Sequence, residues 1–125
     1  MMIDRWLAVC AALNMFVAVG AGAFGAHGLK RMLSAEMLAV WQTAVTYHLI
    51  HGLGMLFLAL ASARMGSSVL STAGWVMFAG IVMFSGSLYL LSLTGMRWLG
   101  PITPLGGAAF LASWAMVAWA VWRTQ

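Results

Sequence analysis

Six basic and two acidic residues punctuate a chain of 125, and they leave four stretches with no charge at all. These are Trp6–Leu29, Met37–Ala63, Met65–Met96 and Trp98–Trp122, of 24, 27, 32 and 25 residues. A helix needs about 20 apolar residues to cross the hydrocarbon core of a bilayer. Backbone inside that core must satisfy its own hydrogen bonds, which restricts spanning segments to helices and closed barrels. With 64% hydrophobic and 6% charged residues, the chain lacks the polar surface that a water-soluble domain of this size would show. The expectation is a single all-α integral membrane domain over residues 1–125, an antiparallel bundle of four transmembrane helices at about 5–27, 36–63, 69–93 and 103–123.

The connections carry their own signals. In the basic connector G28-L-K-R-M-L-S34, Ser34 is a candidate N-cap, and Glu36 suits the positive end of the second helix. The short turn A63-R-M-G-S-S68 forces the third helix to return beside the second. L99-G-P-I-T-P-L105 halts the chain before the fourth helix, with Thr103 expected as its cap and Pro104 at its first position. Trp6, Trp41, Trp98 and Trp122 fall near span ends, where interfacial tryptophans are expected.

A net charge of +4 invites a nucleic-acid reading, but the bases are isolated at helix ends and read as membrane-surface anchors, with the lipid bilayer as partner and no nucleic acid. Arg5, Arg64 and Arg123 fall on one side and Lys30, Arg31 and Arg97 on the other, so the positive-inside rule sets no orientation. The first helix imitates a signal peptide, with Asp4-Arg5, an apolar run and Ala21-Gly22-Ala23, and is read as retained. Cys10 is the only cysteine, which excludes an internal disulfide, and Val9 makes L7-A-V-C10 a poor lipoprotein site.

Gly20, Gly22 and Gly25 fall at the spacing G-x-G-x-x-G. As a dinucleotide-binding turn this would need an acid about 20 residues further on, and Glu36 is the last acid in the chain. A helical wheel explains the glycines better. At 100° per residue Cys10, Ala11, Asn14, Ala18, Ala21, Gly25 and Gly28 share one narrow face, with Gly22 beside it. Such a stripe of small residues lets a neighbouring helix approach closely, the usual means of helix packing in lipid.

The second helix carries the polar content, W41-Q-T-A-V-T-Y-H-L-I-H-G-L-G54. Gln42, Thr43, Thr46, Tyr47, His51 and Gly54 take up about half its circumference, with His48 next to His51, a face that lipid would not solvate. Both histidines fall close to the bilayer midplane, where an ionisable residue is a functional candidate by default. One reading joins them to neighbouring helices through Asn14, Ser85, Tyr89 and Ser92. A second makes them a site for a quinone-like ligand held by Tyr47 and His51. A third, haem or a metal, uses His48 and His51 with His27, but His27 stands at a helix end and a bis-histidine haem would need a dimer. Proton-coupled transport would require an acid within a span, and Asp4 and Glu36 both lie at span ends.

Enzyme constellations are missing: no acid neighbours a histidine, and the single cysteine has no orienting partner. The 11 methionines are scattered and read as adaptable filler rather than copper ligands. No catalytic residue, no resident metal and no cofactor is expected, with haem or quinone kept as alternatives.

Taken together, G22-A-F-G-A-H-G-L29, Y47-H-L-I-H51, F84-S-G-S-L-Y-L-L91 and I102-T-P-L-G-G107 resemble a family of small bacterial inner-membrane proteins known as domain of unknown function 423. The resemblance runs through the whole chain in order and length. It implies a four-helix, multi-pass protein of the bacterial inner membrane, related to a small mitochondrial membrane protein of animals, and supplies no activity. The positions it carries over are Gly22, Phe24, Gly25, Ala26 and His27, then Tyr47 and His51, then Ser85, Gly86, Ser87 and Tyr89, and finally Thr103, Pro104 and Gly106. His48 stands where the family pattern leads one to expect glutamine or histidine, which makes His51 the stronger candidate of the pair.

The expected role is an accessory or scaffolding component acting by helix packing, with a membrane-protein partner or a second copy. The competing classes are a ligand-binding protein built on the polar face of the second helix and a small transporter. A multidrug-transporter reading would require an acid inside the first helix, where Asn14 stands.

Overall fold

The computed structural model describes residues 2–124. Four helices account for most of them: α1 (Arg5–Ala26), α2 (Ala35–Met65), α3 (Ser68–Thr94) and α4 (Ile102–Arg123). Single 3₁₀ turns at Leu29–Arg31 and Arg97–Leu99 occupy the two longer connections. All four helices are long and apolar enough to cross a membrane.

Side chains start three of the helices, as the orphan N–H groups of a first turn require. The Asp4 carboxylate accepts from the Leu7 N–H at 3.0 Å, Ser34 Oγ from Met37 at 3.1 Å and Ser67 Oγ from Leu70 at 3.4 Å. Gly66 and Gly95 end α2 and α3 in the left-handed conformation, at φ 61° and 71°, which a side chain would resist. The start of α4 departs from expectation. The helix begins at Ile102 behind Pro101 with no side-chain cap, because the Thr103 hydroxyl is engaged with Ser87 Oγ at 2.6 Å, tying α4 to α3.

Contacts step down one helix as they climb the next. Gly22 and Gly25 of α1 meet Val45 and Trp41 of α2, Gly54 and Tyr47 of α2 meet Met77 and Phe84 of α3, and Gly80 of α3 meets Phe110 of α4. The main core joins Leu7 and Ala11, Met55 and Leu58, Leu70 and Met77, and Phe110. A smaller cluster of Leu29, Trp41 and Val45 closes the opposite end. α2 is the most enclosed helix and α1 the least.

The outer surface is a belt of large apolar side chains, with Phe16 79% and Leu111 75% exposed, a surface that a bilayer covers favourably. Trp41 does not belong to it, contrary to its reading as an interfacial residue. It is only 6% exposed, donates its indole N–H to the Ala21 carbonyl at 2.8 Å, and lies 4.6 Å from the Tyr89 ring between centroids.

Candidate functional site around the buried histidines

His48 is buried where α1, α2 and α3 meet, and for a neutral imidazole its hydrogen bonds have one consistent direction. The Cys10 carbonyl cannot donate, so the Asn14 group 2.9 Å from it is the amide nitrogen. Asn14 Oδ1 then faces His48 Nε2 at 3.0 Å and accepts, which places the imidazole proton on Nε2. That leaves a lone pair on Nδ1, to which the Tyr89 hydroxyl donates at 2.9 Å. One polarised chain thus runs from Tyr89 through His48 and Asn14 to a backbone carbonyl of α1.

His51, one turn further along, takes the opposite tautomer for equally local reasons. Its Nδ1 lies 2.8 Å from the Tyr47 carbonyl and must donate. Nε2 is therefore an acceptor, and the Trp114 indole N–H of α4 donates to it at 3.0 Å. The ring also stacks on Phe110, with centroids 3.6 Å apart and planes 9° from parallel. Ser85 completes the polar seam by donating to the Ala44 carbonyl at 2.8 Å. Among the described residues, no buried side-chain nitrogen or oxygen lacks a partner.

Beside His51 a groove of about 710 Å³ opens toward the lipid between α2, α3 and α4. Tyr47, Ile50, Phe84, Phe110, Leu111 and Trp114 form most of its wall, with Pro104 and Gly107 at one end. Tyr47 is 40% exposed, and among the described residues its hydroxyl makes no hydrogen bond.

Of the residues singled out in the sequence, Asn14, His48 and Tyr89 form one hydrogen-bonded unit, and Tyr47 and His51 share the groove. His27 stands apart, exposed at the end of α1. Gln42, Thr43 and Thr46 face outward, and both threonine hydroxyls are bonded back to carbonyls one turn earlier, so these two members of the expected polar face are satisfied by their own helix. In the small-residue stripe, Ala18 is buried, Ala21 receives the Trp41 N–H, and Gly22 and Gly25 leave room for Val45 and Trp41. Gly28 does not take part, since it lies beyond the end of α1 and a Cβ there would meet Phe24 of the preceding turn rather than a neighbouring helix.

Two features escape sequence reading. Trp114, the partner of His51, lies 63 residues away in an apolar run that gives no sign of it. The tightest packing also lies elsewhere, at Gly74 against Leu7 and at Gly80 and Gly106 in the α3–α4 contact. Among the described residues, no three His, Cys, Asp or Glu side chains gather as metal ligands.

Comparison with known proteins places this architecture. The family model described as "Protein of unknown function (DUF423)" matches residues 21–107. The UPF0382 membrane protein YwdK of Bacillus subtilis is 54% identical over 110 residues, covering 87% of this chain and 89% of that protein. The UPF0382 membrane protein SSP2132 of Staphylococcus saprophyticus is 50% identical over 109 residues, covering 87% and 90%. No solved structure matches the chain. With four membrane-crossing helices and relatives of this kind along most of its length, the chain is a multi-pass bacterial membrane protein and belongs to the DUF423 family.

Proposed function

We propose that this protein is a non-catalytic membrane module, an accessory or scaffolding component that offers a rigid helical surface to a membrane-protein partner or a second copy. One observation carries the reading: all four ring nitrogens of His48 and His51 are engaged within the bundle. A general base, a metal ligand or a proton carrier needs a nitrogen it can turn toward a substrate. Here each imidazole fastens helices together, and a haem iron would have to displace Trp114 to reach His51.

A second reading has its own support in the groove beside Tyr47. Its apolar, aromatic walls and one hydroxyl left without a partner suit a flat quinone-like ligand, which needs little more than a single polar contact.

Native mass spectrometry of protein extracted from its own membrane in mild detergent separates the two, with Tyr47→Phe alongside. A stoichiometric protein partner or second copy, retained in Tyr47→Phe, is the outcome expected of a scaffold. A lone chain carrying a reproducible small-molecule mass that Tyr47→Phe loses would overturn it in favour of the ligand site.

A further inference from the structure

The connector between α1 and α2 is fixed from beneath. Leu29 is 1% exposed and packs with Trp41 and Val45, while Leu33 and Leu38 support the same cluster. The 3₁₀ turn Leu29–Arg31 is thereby nailed to the bundle through its first residue, and its other two, Lys30 and Arg31, are held outward. His27 joins them from the end of α1, so that Lys30, Arg31 and the His27 imidazole line one open hollow of about 720 Å³ together with Ala26 and Gly28. Among the described residues none of the three side chains is taken up by a hydrogen bond within the chain. The neighbouring acid, Glu36, lines a separate hollow together with Arg97.

The depth of the hollow identifies its surroundings. A helix of 22 residues is about 33 Å long at 1.5 Å per residue, against a hydrocarbon core of about 30 Å. The turn that follows α1 therefore lies among the lipid headgroups. Phe24 and Met32, both exposed, flank the basic cluster with apolar surface.

We infer that the hollow of His27, Lys30 and Arg31 is a headgroup site for an anionic phospholipid of the surrounding bilayer. Lys30 and Arg31 hold the phosphate by charge and hydrogen bonds, and His27 donates or accepts at its edge. The acyl chains run down the outer face of α1 past Phe24. A turn with no buried anchor would let the two bases swing apart. Leu29 keeps them on one side of the connector, which turns loose surface attraction into a site.

The test is lipid titration of the purified full chain in neutral detergent, read by native mass spectrometry and by the thermal midpoint. Phosphatidylglycerol is expected to remain bound and raise the midpoint, and phosphatidylcholine to do neither. K30Q/R31Q should weaken the apparent affinity for phosphatidylglycerol on the order of tenfold while leaving the lipid-free midpoint unchanged. Arg64→Gln, at the opposite end, should leave the affinity intact. Undiminished affinity in K30Q/R31Q, an equal loss in Arg64→Gln, or equal binding of phosphatidylcholine would each overturn the proposal. Stabilisation by inorganic phosphate matching that by lipid would also overturn it, in favour of a soluble-anion site. Should the lipid-free midpoint of the double variant fall, the single changes Lys30→Gln and Arg31→Gln carry the same comparison.

Discussion

A methyl group at Gly106 would lie 2.7 Å from the Phe84 Cα, so it would press on backbone rather than on a side chain that can turn away. Helices α3 and α4 would have to separate along their contact, and overpacking of this kind costs about 1–3 kcal/mol. At Gly20 nothing lies within 4 Å, and there the same substitution should be neutral or raise stability by up to about 1 kcal/mol through helix propensity. Thermal midpoints of Gly106→Ala and Gly20→Ala in one detergent check the contrast; equal midpoints would show that the close approach of α3 and α4 is unimportant. Gly25→Leu is expected to be damaging as well, because its side chain would enter the space of the Trp41 indole. Asp4 makes a different prediction, since its carboxylate accepts from Ser71 Oγ, from the Leu7 N–H and from Trp75 Nε1. The Ser71 hydroxyl first, and the Leu7 N–H next, hold its pKa below the ordinary 3.8. The folded value is the lower one, so this contribution to stability is complete above the ordinary value and fades as pH falls through the depressed one. Acidification should therefore lower the midpoint of the native chain more than that of Asp4→Asn, measured from about pH 6 to about pH 3.

The helices themselves were legible in the spacing of charges, because a membrane span cannot hide an unpaired Arg or Glu and each uncharged run had to be a span. How the helices are fastened to one another was only partly legible. Asn14 and Tyr89 were visible as groups able to meet an imidazole, since few polar side chains exist at that depth. Trp114 was not, because an indole inside an apolar run looks like packing until its N–H has an acceptor in reach. Trp41 misled for a related reason: its place near the end of a span suggests the interface, yet the Ala21 carbonyl and the gap at Gly25 draw it inward. At this scale the Tyr89–His48–Asn14 chain gives a coupled expectation. Asn14→Leu and His48→Phe should each destabilise by about 0.6 kcal/mol and at most about 1.7 kcal/mol, the range for interhelical bonds in membranes. Together they should cost less than their sum, because each removes the same bond and the double change leaves no orphan at that point. Additive losses in a double-mutant cycle of unfolding free energies would mean that the two side chains act separately.

Seen as one body, the molecule has two basic ends. Asp4 meets Ser71 and Trp75 at one of them, and Gly66, Ser67 and Arg123 line a common hollow there, so Arg5, Arg64 and Arg123 mark a single face. Lys30 and Arg31 lie beyond the other end of α1, and Glu36 and Arg97 share a hollow at the end where α2 begins and α3 closes. The balance of three bases against three should allow either insertion, and K30Q/R31Q should break it, placing the Arg5 face in the cytoplasm. Reporters fused to the C-terminus read this directly; an unchanged distribution of orientations would show that something other than charge decides. The balance is plain in the sequence, whereas the gathering of residues 4, 71 and 75 depends on how three helices settle side by side, which no local pattern encodes. That gathering bears on how the protein is made. The first two helices can dock as soon as both are in the membrane, because Gly22, Gly25, Val45 and Trp41 all belong to them. The carboxylate of Asp4 must wait until Ser71 and Trp75 leave the ribosome. The newborn hairpin therefore keeps a loose end until more than half the chain has been synthesised, and the third helix is what fastens it.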